Sequence, residues 1–147
     1  MEVALMNLQW LQMRITEEKE RRQREAQILE RLPRVLDEVH RALVRCVDAY
    51  IEAFGADAIE IGYQGQKIRV TVREEQDAKW VNTAKVEIAT LPKLPGLHID
   101  RSGDRLDITI GLLPGDKIFY KDGEEFLTME ELTRRILDHS LFPKLGE

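Results

Sequence analysis

His98 and the acids around it are the first place in this sequence where chemistry could occur. His98 alternates with Asp100 along one predicted strand, and a hairpin turning at Ser102-Gly103 places Asp107 opposite His98. A carboxylate beside an imidazole orients the ring and stabilises its charged form, which is half of a general-base arrangement. The three side chains could also form a metal cluster. Because no nucleophile is visible nearby and paired charges are common on solvated sheets, we interpret them as structural and predict no catalytic and no metal-binding residues.

A row of cations on one strand is the second chemical candidate. Lys67, Arg69 and Arg73 share one face of a predicted strand, and Lys85 follows on the next strand. Such a row could bind phosphate. Two acidic residues fall among the cations, however, and no aromatic platform accompanies them. A charge-balanced, exposed sheet face is therefore the simpler interpretation.

The remaining reactive side chains are better explained by packing. Cys46 lies on the apolar stripe of a predicted helix, where a buried cysteine behaves as a small hydrophobe. His40 lies on another face of that helix, and His139 lies near the end of the last helix. The chain contains no GxGxxG, phosphate-loop, HExxH or GxSxG motif. We therefore expect no cofactor, and a non-catalytic protein is favoured over an enzyme.

The overall composition suits one globular domain that spans residues 1–147. Apolar residues make up 43% of the 147 residues and charged residues 33%. The net charge of −5 argues against a generally basic nucleic-acid binder. The single Cys46 excludes an intramolecular disulfide and a multi-cysteine zinc site. No apolar run is long enough for a membrane span and no secretory signal is recognisable, so we expect a cytoplasmic protein with no membrane partner.

The first segment, residues 3–15, carries more apolar side chains than one buried helical stripe needs. A helix that is apolar on all sides is normally buried, either on its own domain or against another chain. We predict that this segment binds a second copy of the chain, forming a homodimer, or another protein. The predicted partner-binding residues are Val3, Leu5, Met6, Leu8, Trp10, Leu11, Met13 and Ile15.

Two helical stretches follow, and Pro33 separates them. Residues 14–31 carry a charge run whose Glu–Arg pairs, four residues apart, favour a solvated helix. Residues 34–54 carry one broad apolar stripe, and Gly55 is suited to end that helix. Because a proline removes a backbone donor and clashes with the preceding turn, we predict a break at Pro33. Residues 1–31 would then form a leading helical arm, placed separately from the domain.

About seven short strands, mostly antiparallel, are predicted after Gly55 as a meander. Alternating apolar residues and glycine-containing turns predict three hairpins. Their pairings are Ile61 with Ile68 around Gln64-Gly65, Ile99 with Leu106 and His98 with Asp107 around Ser102-Gly103, and Phe119 with Phe126 around Asp122-Gly123. Residues 74–82 are predicted as a loop or helical turn, and residues 91–96 as an extended connection.

One C-terminal helix is predicted from the capping pair Thr128 and Glu131, with Pro143 ending it. The whole is an α+β fold with N-terminal helices and the C-terminal helix on one face of the sheet. Three functions remain open for such a domain. The favoured one is a non-catalytic interaction or assembly domain that self-associates through its arm. The alternatives are a small-molecule-binding or enzymatic domain with a pocket between sheet and helices, and a nucleic-acid binder using the Lys/Arg strand, which the net charge disfavours.

Overall fold

A long helix, an antiparallel sheet and a short helix follow one another in the computed structural model, which describes residues 6–90 and 95–145. Within that part of the chain, seven strands pair strictly in sequence order, so the predicted meander and α+β class are confirmed. The elements are α1 (Gln9–Phe54), β1 (Ile59–Gln64), β2 (Lys67–Gln76), β3 (Lys79–Thr90), β4 (Gly96–Arg101), β5 (Asp104–Leu113), β6 (Lys117–Asp122), β7 (Glu125–Leu127) and α2 (Met129–Leu141).

Both helices cover one face of the sheet, here called the inner face, and the opposite face is called the outer face. Alternate strand residues such as Ile68 and Ile99 point inward and are fully buried together with Leu36 of α1 and Ile136 of α2. Burying one such side chain stabilises the fold by roughly 1.5–3 kcal/mol. These residues belong to one continuous core cluster, which fills the space between helices and sheet.

The predicted break at Pro33 is wrong, because α1 runs without interruption from Gln9 to Phe54. Pro33 itself is exposed, while Ile28 and Leu32 before it and Leu36 after it are buried in the same core. A proline inside a helix costs about 3 kcal/mol. Burial on both sides of Pro33 offsets that cost, so one helix continues where two were predicted. Gly55 ends the helix as predicted, and its N–H donates to the carbonyl of Ile51 at 2.7 Å.

The register of the second hairpin is confirmed, whereas that of the first is displaced by two residues. Ile99 pairs with Leu106 and His98 with Asp107, as predicted. In the first hairpin Ile61 pairs with Val70 instead of Ile68. The turn there is formed by Gly65 and Gln66, with φ of 61° and 59°, instead of Gln64 and Gly65.

The third hairpin shows the same displacement. Lys121, instead of Phe119, pairs with Phe126, since Asp122 and Glu125 close the turn. The rings of Phe119 and Phe126 nevertheless meet across the strands, with centroids 5.2 Å apart. The predicted contact is therefore present, although the predicted backbone pairing is wrong.

The predicted loop over residues 74–82 is wrong, since these residues extend β2 and β3 into a two-stranded ribbon. Gln76 pairs with Lys79, and the turn between them holds Asp77 and Ala78 with φ of 52° and 66°. A register shift at Val72 marks where the ribbon leaves the main sheet. Of the predicted extended connection, residues 91–94 lie outside the described part of the chain.

Helix α2 begins at the predicted capping box. The Thr128 hydroxyl accepts from the Glu131 N–H at 3.1 Å, and the Glu131 carboxylate accepts from the Thr128 N–H at 3.1 Å. The hydrogen bond from the Thr128 backbone N–H to the Glu131 carboxylate contributes most to holding the pKa of Glu131 below its ordinary value, and the Thr128 side chain contributes less. The cap fixes where the chain turns from β7 back onto the core.

Candidate protein interface

The first half of α1 projects beyond the core. Residues 9–27, here called the arm, contain no buried side chain, and Ile28 is the first buried residue of the helix. At 1.5 Å of rise per residue, α1 is about 70 Å long and the arm is about 30 Å. The arm is therefore a continuous extension of the core helix, not a separately placed segment.

Apolar side chains are concentrated at the N-terminal end of the arm and just before it. Of the predicted partner-binding residues, Val3 and Leu5 lie outside the described residues. The other six are all exposed, and together they are called the tip patch: Met6 (63% exposed), Leu8 (44%), Trp10 (64%), Leu11 (38%), Met13 (58%) and Ile15 (45%). Exposed apolar patches of a few hundred Å² are characteristic of interaction sites. The tip patch thus has the composition of a contact surface, and no core residue in the described part of the chain covers it.

Charged side chains along the arm neutralise one another. The Arg21 guanidinium donates to Glu18 at 2.7 Å and to Glu25 at 2.6 Å, and Arg22 donates to Glu18 at 2.9 Å. The hydrogen bonds from Arg21 first, and from Arg22 second, lower the pKa of Glu18 to about 2. The arm carries five basic and four acidic residues. Two arms can consequently approach each other without strong electrostatic repulsion.

The histidine trio predicted from the sequence is assembled on the outer face. Nδ1 of His98 lies 2.9 Å from Oδ1 of Asp107, and Nε2 lies 3.4 Å from Oδ1 of Asp100. Hydrogen bonds from His98 first, and from Arg105 second, hold the pKa of Asp107 below its ordinary value. Among residues 6–90 and 95–145, no group of three His, Cys, Asp or Glu side chains is arranged to hold a metal ion. Each ring nitrogen of His98 faces an aspartate carboxylate, and the closer contact, with Asp107, orients the ring.

The predicted cation row is split by its acidic neighbours. Arg73 forms an ion pair with Glu60. The ammonium and guanidinium groups of Lys67, Arg69 and Lys85 gather around the Glu87 carboxylate, at 3.8, 3.3 and 3.6 Å. A concave surface of about 830 Å³ lies beside them on the outer face.

The other predicted structural side chains occupy ordinary packing positions. Cys46 is half-buried against the core and is a free thiol. His40 stacks on Tyr63 with ring centroids 4.6 Å apart, and the Tyr63 hydroxyl donates to Asp37 at 2.6 Å. His139 lies in the last turn of α2, where a cation is favourable.

A groove at the opposite end of α1 from the arm was not predicted from the sequence. It has a volume of about 510 Å³, and its apolar lining includes Tyr50, Phe54, Trp80, Leu141 and Leu145. These residues come from the ends of α1 and α2, from the segment that follows α2 and from the β2–β3 ribbon. Trp80 was placed in a predicted loop, so nothing in the sequence pattern brought it to this groove.

Across the described residues, no helix combines the length and apolar character required to cross a lipid bilayer. Comparison of the chain with protein-family models, with curated proteins and with solved structures finds no match.

Proposed function

We propose that this protein is a non-catalytic interaction or assembly protein that forms a homodimer through its arm. The observation that carries the proposal is the tip patch, which exposes six large apolar side chains beyond the reach of their own core. Removing such apolar surface from water is favourable and is the main driving term in most protein–protein association. A cytoplasmic location is part of the proposal, because the single Cys46 offers no intramolecular disulfide for an oxidising compartment.

A second copy is the partner that the arm fits best. A twofold dimer uses the same patch on both subunits, so one self-complementary surface is sufficient. Apolar side chains surround the tip, and the arm beside it is nearly balanced in charge. A specific interface buries at least about 1,000 Å² in total, and six large exposed apolar side chains from each of two copies would contribute to that area.

The other two functions have less support. A ligand pocket between sheet and helices would need free volume where residues such as Leu36, Leu43 and Ile88 are fully buried. Nucleic-acid binding through the Lys/Arg strand is opposed by the net charge of −5, and Arg73 is already paired with Glu60.

Sedimentation velocity of the full chain tests the proposal. We expect a homodimer at high micromolar concentration. Trp10→Glu should shift it to monomer, because a charge placed in a buried apolar contact is costly. Trp80→Glu is the matched control: the same residue type, exposed to 41%, stands far along the chain from the tip patch.

The two variants distinguish the arm from the other apolar surfaces. A dimer that survives Trp10→Glu and dissociates with Trp80→Glu would place the interface at the groove and refute the proposal. A full-length monomer at high micromolar concentration would refute self-association altogether.

A further inference from the structure

The concave surface on the outer face, beside β1, β2 and β3, is positively charged although the whole chain is acidic. Its wall holds three cations, Lys67, Arg69 and Lys85, each with a side chain about half exposed. The acid on this wall, Glu60, is already bonded to Arg73. This surface, called the basin, combines an excess of positive charge with a volume of about 830 Å³.

The three cations already converge on one oxyanion within the protein. Each lies within 3.8 Å of a Glu87 carboxylate oxygen, so three positive charges share one negative charge. Asp100 stands opposite Glu87 on β4, but its carboxylate is directed to His98 at 3.4 Å. At least one cation charge on the basin wall is therefore left without a matching acid.

The rest of the basin provides neutral polar groups and free space. Thr71, Ser102 and Asn82 line it with hydroxyl and amide groups. Gly62 leaves its wall open, since a Cβ there would meet nothing within 4 Å. Such a lining suits a ligand whose recognised group is small, polar and multiply charged.

We propose that the basin binds a small molecule bearing a diphosphate-like polyanion. Arg69 binds phosphate oxygens through its planar fork, while Lys67 and Lys85 act as point charges. Glu87 keeps the three cations together and competes with the ligand for them. This inference is independent of self-association, because the basin lies on the sheet and the tip patch lies on the arm.

Titration of the full chain with inorganic pyrophosphate, followed by calorimetry and by backbone amide shifts, tests the basin. We expect saturable binding with shifts at Gly62, Thr71 and Ser102. Arg69→Gln should weaken binding by about tenfold, the loss of one charge-assisted pair. Arg105→Gln is the matched control: its side chain is 57% exposed, against 53% for Arg69, and lies on the same face paired with Asp107.

Removing the competing acid should act in the opposite direction. Glu87→Gln is expected to tighten pyrophosphate binding several-fold, whereas Glu130→Gln, which changes the net charge equally on α2, should leave it unchanged. A nucleoside diphosphate in a parallel titration separates a free polyanion from one carried on an organic group; binding of either at the basin supports the proposal. Equal weakening by Arg69→Gln and Arg105→Gln, or no saturable binding of either probe, would overturn it.

Discussion

The contact between His98 and Asp107 affects the pKa of the Asp107 carboxyl, which can be measured. The hydrogen bond from His98 contributes most to holding the pKa of Asp107 below its ordinary value, and Arg105 contributes less. His98→Ala, which removes the donor, should therefore raise the pKa of Asp107 toward the ordinary aspartate range. Carboxyl-carbon NMR over an acid titration measures this change directly.

Arg105→Gln provides the comparison for that experiment. It should raise the same pKa by a smaller amount, because the contact from Arg105 is longer, at 3.3 Å against 2.9 Å. A pKa of Asp107 that is unmoved by His98→Ala would mean that the two side chains do not pair in solution.

The three tyrosines predict a fall in stability at alkaline pH. Burial raises the pKa of Tyr120 to about 12, and burial together with the hydrogen bond to Asp37 raises the pKa of Tyr63 to about 12. Burial also raises the pKa of Tyr50. The unfolded chain releases these protons near pH 10.0, so the stabilisation is complete below that value and is lost as pH rises toward 12.

Near-ultraviolet absorbance of the phenolate tests this expectation in the native and the denatured chain. The native titration should lie at higher pH than the denatured one, and Tyr63→Phe and Tyr120→Phe should each remove part of the difference. Two superimposed titrations would show that neither hydroxyl is shielded.

At Pro33, packing of α1 on the core keeps the helix continuous although proline favours a break in it. Pro33→Ala restores a donor for the Leu29 carbonyl and removes a clash, while little buried surface is lost because Pro33 is exposed. The free energy of unfolding should rise by roughly 1–3 kcal/mol. Urea denaturation monitored by circular dichroism measures it. Unchanged or reduced stability would indicate that the helix is not continuous at this point.

The sequence predicts which face of the sheet each strand residue lies on more securely than it predicts the register. Around Ser102-Gly103 the apolar pairs and the His98–Asp107 pair agree on one register, and that register is confirmed. Around Gly65 and Gly123 the turn is displaced by one residue, which moves the pairing by two and leaves every side chain on its predicted face. The apolar pattern cannot distinguish such registers.

Two other features could not be predicted from the sequence, for related reasons. The β2–β3 ribbon is exposed on both sides, so it has no apolar alternation, and its turn at Asp77-Ala78 contains no glycine. The continuity of α1 depends on burial on both sides of Pro33. This burial is a tertiary effect, so local helix propensity cannot predict it. The exposure of the six described tip-patch residues agrees with a partner-binding role, which stays a prediction.

At the scale of the whole molecule, three surfaces have separate characters. The inner face of the sheet is buried in the core, and the outer face is charged. The tip patch lies at the N-terminal end of an arm about 30 Å long. This separation means that self-association through the arm leaves the outer face free. Variants of the basin should therefore not alter the sedimentation of the dimer.

If two copies pair through their tip patches, the distance between their arms is short. Spin labels attached at Gln12→Cys in a Cys46→Ala background would report it by pulsed electron resonance. If the tips pair, the labels should lie closer together than the length of one arm, about 30 Å. A dimer whose labels lie about 70 Å apart, the full length of α1, would contradict pairing at the tips. A sample in which no distance between chains is measured would contradict it as well.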